Sequence, residues 1–320
     1  MRSSAARYLI AVLAGALLGV PLVCLATWLA VSRGLVGLPD LEISYHQRAK
    51  IEAAREVDLL LIGDSTLGNT IDAGAWSERT GRAVLAVPLT GGYGYAGSLN
   101  MLRRVLRRDR PEVVVVMQSL DMGTRDISWE GLLFTAERPS DLAGLPPWQL
   151  VSSLARIDLL QAALGADETH EAPLARLDYW PQAPAERARA RLVATEPPTR
   201  AELRPEKFRH LREIGEICRA RRITCLYAHG PYLEPHCSRA TDYLRAVNAL
   251  IEQSGLAVVP GTPRCMTLDQ AGDTEDHVRP ALKGAFSEHY RALIAETLAS
   301  RAFTGPTSRG RPGGEPGDAS

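Results

Sequence analysis

A serine directly after an apolar run, and a histidine beside two aspartates ahead of the last helical stretch, are the residues here best suited to acyl chemistry. The run "VDLLLIGDSTLGNT", Val57 to Thr70, places Ser65 immediately after Gly63-Asp64. A serine hydroxyl is a weak nucleophile until a histidine takes its proton, and that histidine needs an acceptor on its other nitrogen to fix ring and tautomer. "GDTEDHVRP", Gly272 to Pro280, offers His277 as the base and Asp273 or Asp276 as the acceptor. The backbone N–H groups of Ser65, and of Gly91-Gly92 within "PLTGGYGYAG" (Pro88–Gly97), suit a developing oxyanion. Glycine there lets the main chain approach a substrate closely. Each signal also has a plain structural reading. Gly-Asp-Ser is ordinary turn sequence, a histidine before a helix commonly caps it or faces solvent, and a Gly-Gly pair is a loop.

What must position these residues is a parallel sheet. Val57–Ile62, Ala83–Pro88, Glu112–Met117, Ile223–Ala228 and Leu256–Val259 are short apolar runs, the pattern of strands buried on both faces. Between them Leu99–Arg108, Lys207–Arg222 and Thr241–Ser254 have helical spacing, and Pro280–Arg301 reads as a closing helix. Alternation of this kind predicts an α/β fold, a three-layer α/β/α sandwich with a mostly parallel, about five-stranded sheet. Loops that leave strand C-termini share one sheet edge and build the sites of open α/β sheets. Gly63–Ser65, the glycine loop and Gln118–Met122 ("QSLDM") each follow a strand, so they should meet on that edge. Asp121 in that third loop, His229 at the end of the fourth strand and Tyr93 in the glycine loop are secondary candidates for contacting substrate. Their structural readings are a turn cap, a pocket-wall residue and a partly buried ring.

The order of these blocks resembles the SGNH (GDSL-type) hydrolase superfamily from about Val57 to Ala299. The resemblance rests on "LLLIGDST", "VPLTGGYGYAG" and "DTEDHVRP". More narrowly, the chain looks like the membrane-anchored SGNH-like proteins that accompany membrane-bound O-acyltransferases in polysaccharide or cell-wall acylation. The resemblance implies Ser65 as nucleophile and first oxyanion donor, Gly91 or Gly92 as second donor, and His277 as base. It implies a serine esterase or O-acyltransferase acting on a glycan, with no cofactor and no metal. Two positions depart from the family pattern. The third block usually supplies an asparagine amide as a third donor, and here Gln118 stands nearest, one methylene longer. The aspartate usually lies three residues before the histidine, where this chain has Thr274. Asp273 is then favoured over Asp276, because an adjacent residue rarely points at its neighbour's ring. The departures keep a second expectation open, a non-catalytic SGNH-like glycan-binding or scaffolding subunit.

The termini set the expected compartment. Residues 1–7 carry Arg2 and Arg7, and residues 8–32 hold no charge. As a helix that run would span roughly 37 Å at about 1.5 Å per residue, enough to cross a bilayer and longer than the apolar core of a cleaved signal peptide. The expectation is a single-pass inner-membrane anchor, its N-terminus cytoplasmic and the rest periplasmic or otherwise extracytoplasmic. Residues 33–55 read as a stalk with a helix, 56–301 as the SGNH-like domain, 126–205 as a proline-rich, mostly helical cap inserted into it, and 302–320 as a disordered Gly/Pro/Ser tail. Lys+Arg and Asp+Glu balance at 37 each, so no basic excess points to nucleic acid. No Cys–His spacing resembles a zinc site. Cys237 and Cys265 both fall in loop-like sequence, and a disulfide between them or two free thiols fit it equally.

Overall fold

The computed structural model describes residues 39–125 and 196–303 apart from 235, together with isolated residues between 7 and 30 and residues 135 and 136. Its strands are β1 (Leu59–Gly63), β2 (Val84–Pro88), β3 (Val113–Gln118), β4 (Thr224–His229), β5 (Tyr232–Leu233), β6 (Ala257–Val258) and β7 (Cys265–Met266). Five of them make one sheet in the order β2-β1-β3-β4-β6, every neighbour parallel. The remaining pair, β5 and β7, forms a small parallel ribbon beside it.

Side chains alternate across a strand, so a strand buried on both faces feeds two cores. β1 does this residue by residue. Leu60 and Ile62 join one cluster with Val114, Val116, Val87 and Tyr227. Leu59 and Leu61 join the other with Val113, Val115, Ala86 and Leu226. The first core is covered by the helices α1 (Pro39–Ala53), α4 (Gly94–Val105), α5 (Arg209–Arg221) and α7 (Thr241–Gln253), which contribute Ile51, Leu102, Leu211 and Ile251. The second is covered by α2 (Ser65–Thr70), α3 (Ala73–Thr80) and α8 (Lys283–Phe303), through Leu67, Trp76, Phe286 and Tyr290. A four-residue helix, α6 (His236–Arg239), follows the ribbon strand β5. Each fully buried aliphatic side chain contributes about 1.5–3 kcal/mol of transfer free energy, so both faces hold the sheet. The helix expected as a stalk is part of this arrangement, since Ile43 and Ile51 of α1 lie in the first core.

The register puts the strand ends where the chemistry was expected. Gly63 lies opposite Pro88 and Met117, and Gln118 lies opposite His229. β1 ends on glycine for a steric reason: a Cβ at Gly63 would sit 1.8 Å from the Met117 carbonyl oxygen. Beyond the strands, Leu89 N–H donates to Gly63 O at 2.9 Å, which pins the start of the glycine loop to the backbone two residues before Ser65.

Of the expected cap, residues 126–134 and 137–195 lie outside the described residues. Within residues 196–205 one 3-10 turn, Arg200–Glu202, is held by a Thr199–Glu202 capping box, and a second starts at Pro205. The expected tail lies outside them from residue 304, and α8 runs to Phe303. The expected anchor, residues 8–32, falls mostly outside them too. Among the described residues no helix is long and apolar enough to cross a membrane.

Candidate active site

Ser65 opens α2, and the helix begins there because Asp64 caps it. The Asp64 carboxylate accepts the Thr66 N–H at 3.0 Å, and the Asp64 carbonyl accepts from Leu67 N–H at 3.1 Å. These contacts engage the second and third amides of the helix and leave the Ser65 N–H as its first donor. The other Asp64 oxygen accepts from Ser119 N–H at 2.9 Å, so one buried carboxylate joins the Ser65 loop to the loop after β3. Burial, and after it the nearby Asp276 charge, push the Asp64 carboxyl up to about 6, against the pull of Arg125 and the Ser119 N–H.

His277 arrives from the far end of the chain on a short closed loop. Ala271 and Val278 form an antiparallel bridge, and Gly272 N–H donates to His277 O at 2.6 Å. Leu233 N–H of β5 donates to Glu275 O at 2.7 Å, which ties the loop to the ribbon. The ribbon itself is joined to α6 by the Cys237–Cys265 disulfide, since Cys265 is the first residue of β7.

The loops converge on one chain of hydrogen bonds. His277 Nε2 lies 2.8 Å from Ser65 Oγ, and His277 Nδ1 lies 2.8 Å from Asp273 Oδ1. With the proton on Nδ1 and donated to Asp273, Nε2 is left as acceptor for the Ser65 O–H. Serine and histidine are both buried, at 7% and 4% exposure, so their contact is sheltered from bulk water. Asp276 occupies a different place. Its Oδ1 stands 3.9 Å from Nε2, too far for a hydrogen bond, and its carboxylate accepts from Thr274 Oγ1 at 2.6 Å and Thr66 Oγ1 at 2.9 Å. Burial opposes the Asp276 charge, but His277, Arg125 and the two threonine hydroxyls outweigh it and hold the carboxyl below its usual range. For His277 the balance runs the other way. Burial pulls its pKa down, while Asp276 and Asp273 outweigh burial and leave it above the ordinary histidine value.

Gly91 and Gly92 open a 3-10 turn, Gly91–Tyr93, closed by Tyr93 N–H on Thr90 O at 3.1 Å. Gln118, the expected third donor, is placed otherwise. Its amide donates to Ser98 Oγ at 2.9 Å, its other amide atom is buried, and the whole residue is 1% exposed. The ring of His229 is engaged elsewhere. It meets Asn248 at 2.7 Å and the edge of Tyr227, and burial lowers its pKa to about 4. Tyr93 is buried at 2% exposure in the first core. Asp121 accepts from Ser119 Oγ at 2.6 Å and from Arg125 Nε at 3.0 Å, so it holds its own turn and the arginine four residues on.

Arg125 is the site residue that the sequence reading passed over. It follows the third strand loop, pairs with Asp121 at 3.0 Å and stands 3.6 Å from Asp276. Burial opposes its charge, yet Asp121, Asp276 and Asp64 together strengthen it. The i, i+4 spacing from Asp121 in a loop bound for the sheet edge was the available signal. A cavity of about 440 Å³, bounded by Gly215, Cys218, Arg219, Thr224 and Leu298, lies at the opposite end of β4 and shares no residue with this cluster. Glu234 lies near Cys237 and Cys265, but sulfurs joined in a disulfide are not thiolates that could ligate a metal.

No protein-family model matches this sequence, and no curated protein matches it.

Proposed function

We propose that the protein is a membrane-anchored, extracytoplasmic serine esterase or O-acyltransferase of SGNH type, acting on acyl groups of an envelope or exported glycan. The observation that carries this reading is the unbroken Ser65–His277–Asp273 chain, two contacts of 2.8 Å between residues from opposite ends of the domain. Ser65 Oγ attacks the acyl carbonyl as His277 Nε2 takes its proton. The tetrahedral intermediate collapses, and the leaving oxygen takes that proton from His277. The acyl group now sits on Ser65 as an ester. Water, or a sugar hydroxyl, gives its proton to His277 as it attacks, and the proton returns to Ser65 Oγ as the enzyme is freed. Asp273 orients the ring and balances the imidazolium throughout. This chemistry needs no metal or organic cofactor.

Two features support the compartment. Cys218–Cys225 and Cys237–Cys265 are disulfides, which persist where thiols are not kept reduced. Tyr8, Ile10, Leu18, Leu22 and Leu25 of the uncharged run are each at least 50% exposed, apolar surface suited to a lipid bilayer. A membrane-bound O-acyltransferase in the same membrane is the partner we propose, on the strength of the sequence resemblance.

A second reading, a non-catalytic glycan-binding or scaffolding subunit, is favoured by one observation. Gln118 directs its amide to Ser98 and does not stand as a third oxyanion donor. Treating the detergent-solubilised full chain with a fluorophosphonate probe separates the two. The catalytic reading expects labelling that disappears in Ser65→Ala and His277→Ala, and p-nitrophenyl acetate hydrolysis that disappears with it. A folded wild-type chain that stays unlabelled establishes the second reading instead.

A further inference from the structure

Resting on the catalytic reading above, we propose that Arg125 is the third oxyanion donor of this site, taking the place that an asparagine amide or Gln118 was expected to fill. The guanidinium is held on two sides. Its Nε and Nη2 both lie 3.0 Å from Asp121 Oδ2, and Nη2 stands 3.6 Å from Asp276 Oδ2. Nη1 makes no hydrogen bond to any described residue. That nitrogen lies over the glycine loop, where a Cβ at Gly91 would come within 2.2 Å of it. Absence of a side chain at Gly91 is therefore what lets the guanidinium rest on the loop whose backbone N–H groups were assigned to the oxyanion. The arginine side chain keeps 28% of its surface, so a substrate oxygen can reach it.

The charges around the serine explain why a cation is needed here. Asp276 presents a buried carboxylate 3.9 Å from His277 Nε2, the atom that holds Ser65 Oγ. An alkoxide-like oxygen forming beside Ser65 would be repelled by that carboxylate. A neutral amide donor answers only the hydrogen-bonding need of the oxyanion. A guanidinium answers it and also offsets Asp276. Fixing Nε and Nη2 on Asp121 leaves Nη1 pre-oriented before substrate arrives, the condition under which a donor favours the transition state over the bound substrate.

The test is steady-state hydrolysis of p-nitrophenyl acetate by the full-length chain in detergent, with thermal unfolding as a folding control. Loss of one oxyanion donor lowers kcat by about 10²–10³. Arg125→Ala is expected to lose that much in kcat, with KM within a few-fold of wild type and the same loss at every pH from 6 to 9. It should lose as much again when introduced into an Asp276→Asn background. Arg125→Lys keeps a charge against Asp121 and Asp276 but has no Nη1, and is expected to stay at least tenfold below wild type. It serves as the readout should the alanine variant not fold. Three results overturn the assignment: a lysine variant equal to wild type, a loss that vanishes at high pH, or a loss that vanishes beside Asp276→Asn. The last two would mean that Arg125 only tunes its acidic neighbours. A wild type with no Ser65-dependent hydrolysis overturns the catalytic reading itself, and this assignment with it, and is told apart by the Ser65→Ala control.

Discussion

Asp273 and Asp276 both lie near His277, and replacing each by asparagine should separate what they do. Asp273 Oδ1 accepts the Nδ1–H of His277 at 2.8 Å, a part-buried charge-assisted hydrogen bond worth about 1.5–3 kcal/mol. An asparagine there can turn its NH2 toward Nδ1, which makes Nδ1 the acceptor and puts the ring proton on Nε2, where it blocks proton transfer from Ser65. Loss of the correct tautomer has a larger effect than loss of the bond, of order 10³–10⁴ in kcat or about 4–5.5 kcal/mol. Asp276 touches neither Nδ1 nor Ser65 within hydrogen-bond reach, its nearer oxygen being 3.9 Å from Nε2. At that distance two unit charges interact by about 1 kcal/mol in water and about 4 kcal/mol near a protein surface. That energy acts only when His277 is protonated, and among the influences that raise its pKa Asp276 is the largest. The base must be neutral to act, so wild-type kcat/KM should rise with pH through a midpoint above that of an ordinary histidine. Asp276→Asn should move this midpoint to lower pH while costing less than about tenfold on the alkaline plateau. Asp273→Asn should lower the plateau itself. The assay is p-nitrophenyl acetate hydrolysis from pH 5 to 9 for both variants and wild type. If Asp276→Asn depresses the plateau more than Asp273→Asn, the orienting carboxylate has been misassigned and the reasoning from these distances fails.

Two further predictions concern what holds the site. His229 is buried and neutral, with its pKa depressed to about 4 from an ordinary 6.5, so it binds protons more readily when unfolded. A depressed histidine contributes stability above pH 6.5 that is lost as pH falls through about 4, here roughly 3 kcal/mol. Urea unfolding at pH 7 and pH 4 should show His229→Gln losing less stability on acidification than wild type by about that amount, and an equal loss in both proteins would refute it. The Cys237–Cys265 disulfide closes a loop of sequence separation 28. Its removal by a double serine substitution should cost about 3–4 kcal/mol, read as a lowered Tm. Because β7 and β5 support the histidine loop, it should also lower Ser65-dependent turnover, and an unchanged Tm would show that the ribbon holds without it.

The strands were legible because their chemistry is redundant. Val113 to Met117 is apolar at every position and feeds both cores, so no register or partner information was needed to recognise it. The five strands of the main sheet fall within two residues of their expected limits, whereas the two-residue strands β5 and β7 were not expected, and the residue that ends β1, Gly63, is fixed by one steric contact with Met117 O. The helix at Pro39–Ala53 is hard to assign to the domain from sequence, because "PDLEISYHQRAKIEA" mixes apolar and charged residues without a clear stripe. Ile43 and Ile51 lie eight positions apart, and only the packing shows that both belong to the core. The α3 turn, Ala73–Thr80, begins with Asp72 capping Ala75 N–H at 3.0 Å and ends at Gly81 in the left-handed region, φ 67. Both are local sequence signals of a helix start and stop.

The site was legible where one loop carries one role and obscure where several loops share a charge. Ser65 and His277 could be chosen from residue type and from strand order, because a serine and a histidine suited to act as nucleophile and base are chemically distinctive. Asp273 could be preferred to Asp276 because a peptide neighbour seldom reaches its own neighbour's ring. The electrostatics could not be read that way. Asp64 serves α2 and the loop after β3 at once, and Asp276 takes hydroxyls from Thr66 and Thr274. Arg125 answers Asp121 from its own turn and Asp276 from a loop 151 residues on, and it lies over Gly91 from a third loop. None of these links has a fixed sequence spacing, so no pattern announces them. Together they make a consistent arrangement. Burial drives Asp64 toward its neutral form, the two threonines and His277 stabilise Asp276 as an anion, and Arg125 is the cation that faces both. An uncompensated buried carboxylate beside Ser65 would make its hydroxyl harder to deprotonate and would repel the oxyanion that forms on the acyl carbonyl. In the proposed reaction the arginine would make the Asp276 charge compatible with attack by Ser65. Asp276, in turn, raises the basicity of His277, as a proton acceptor for Ser65 in that reaction would require.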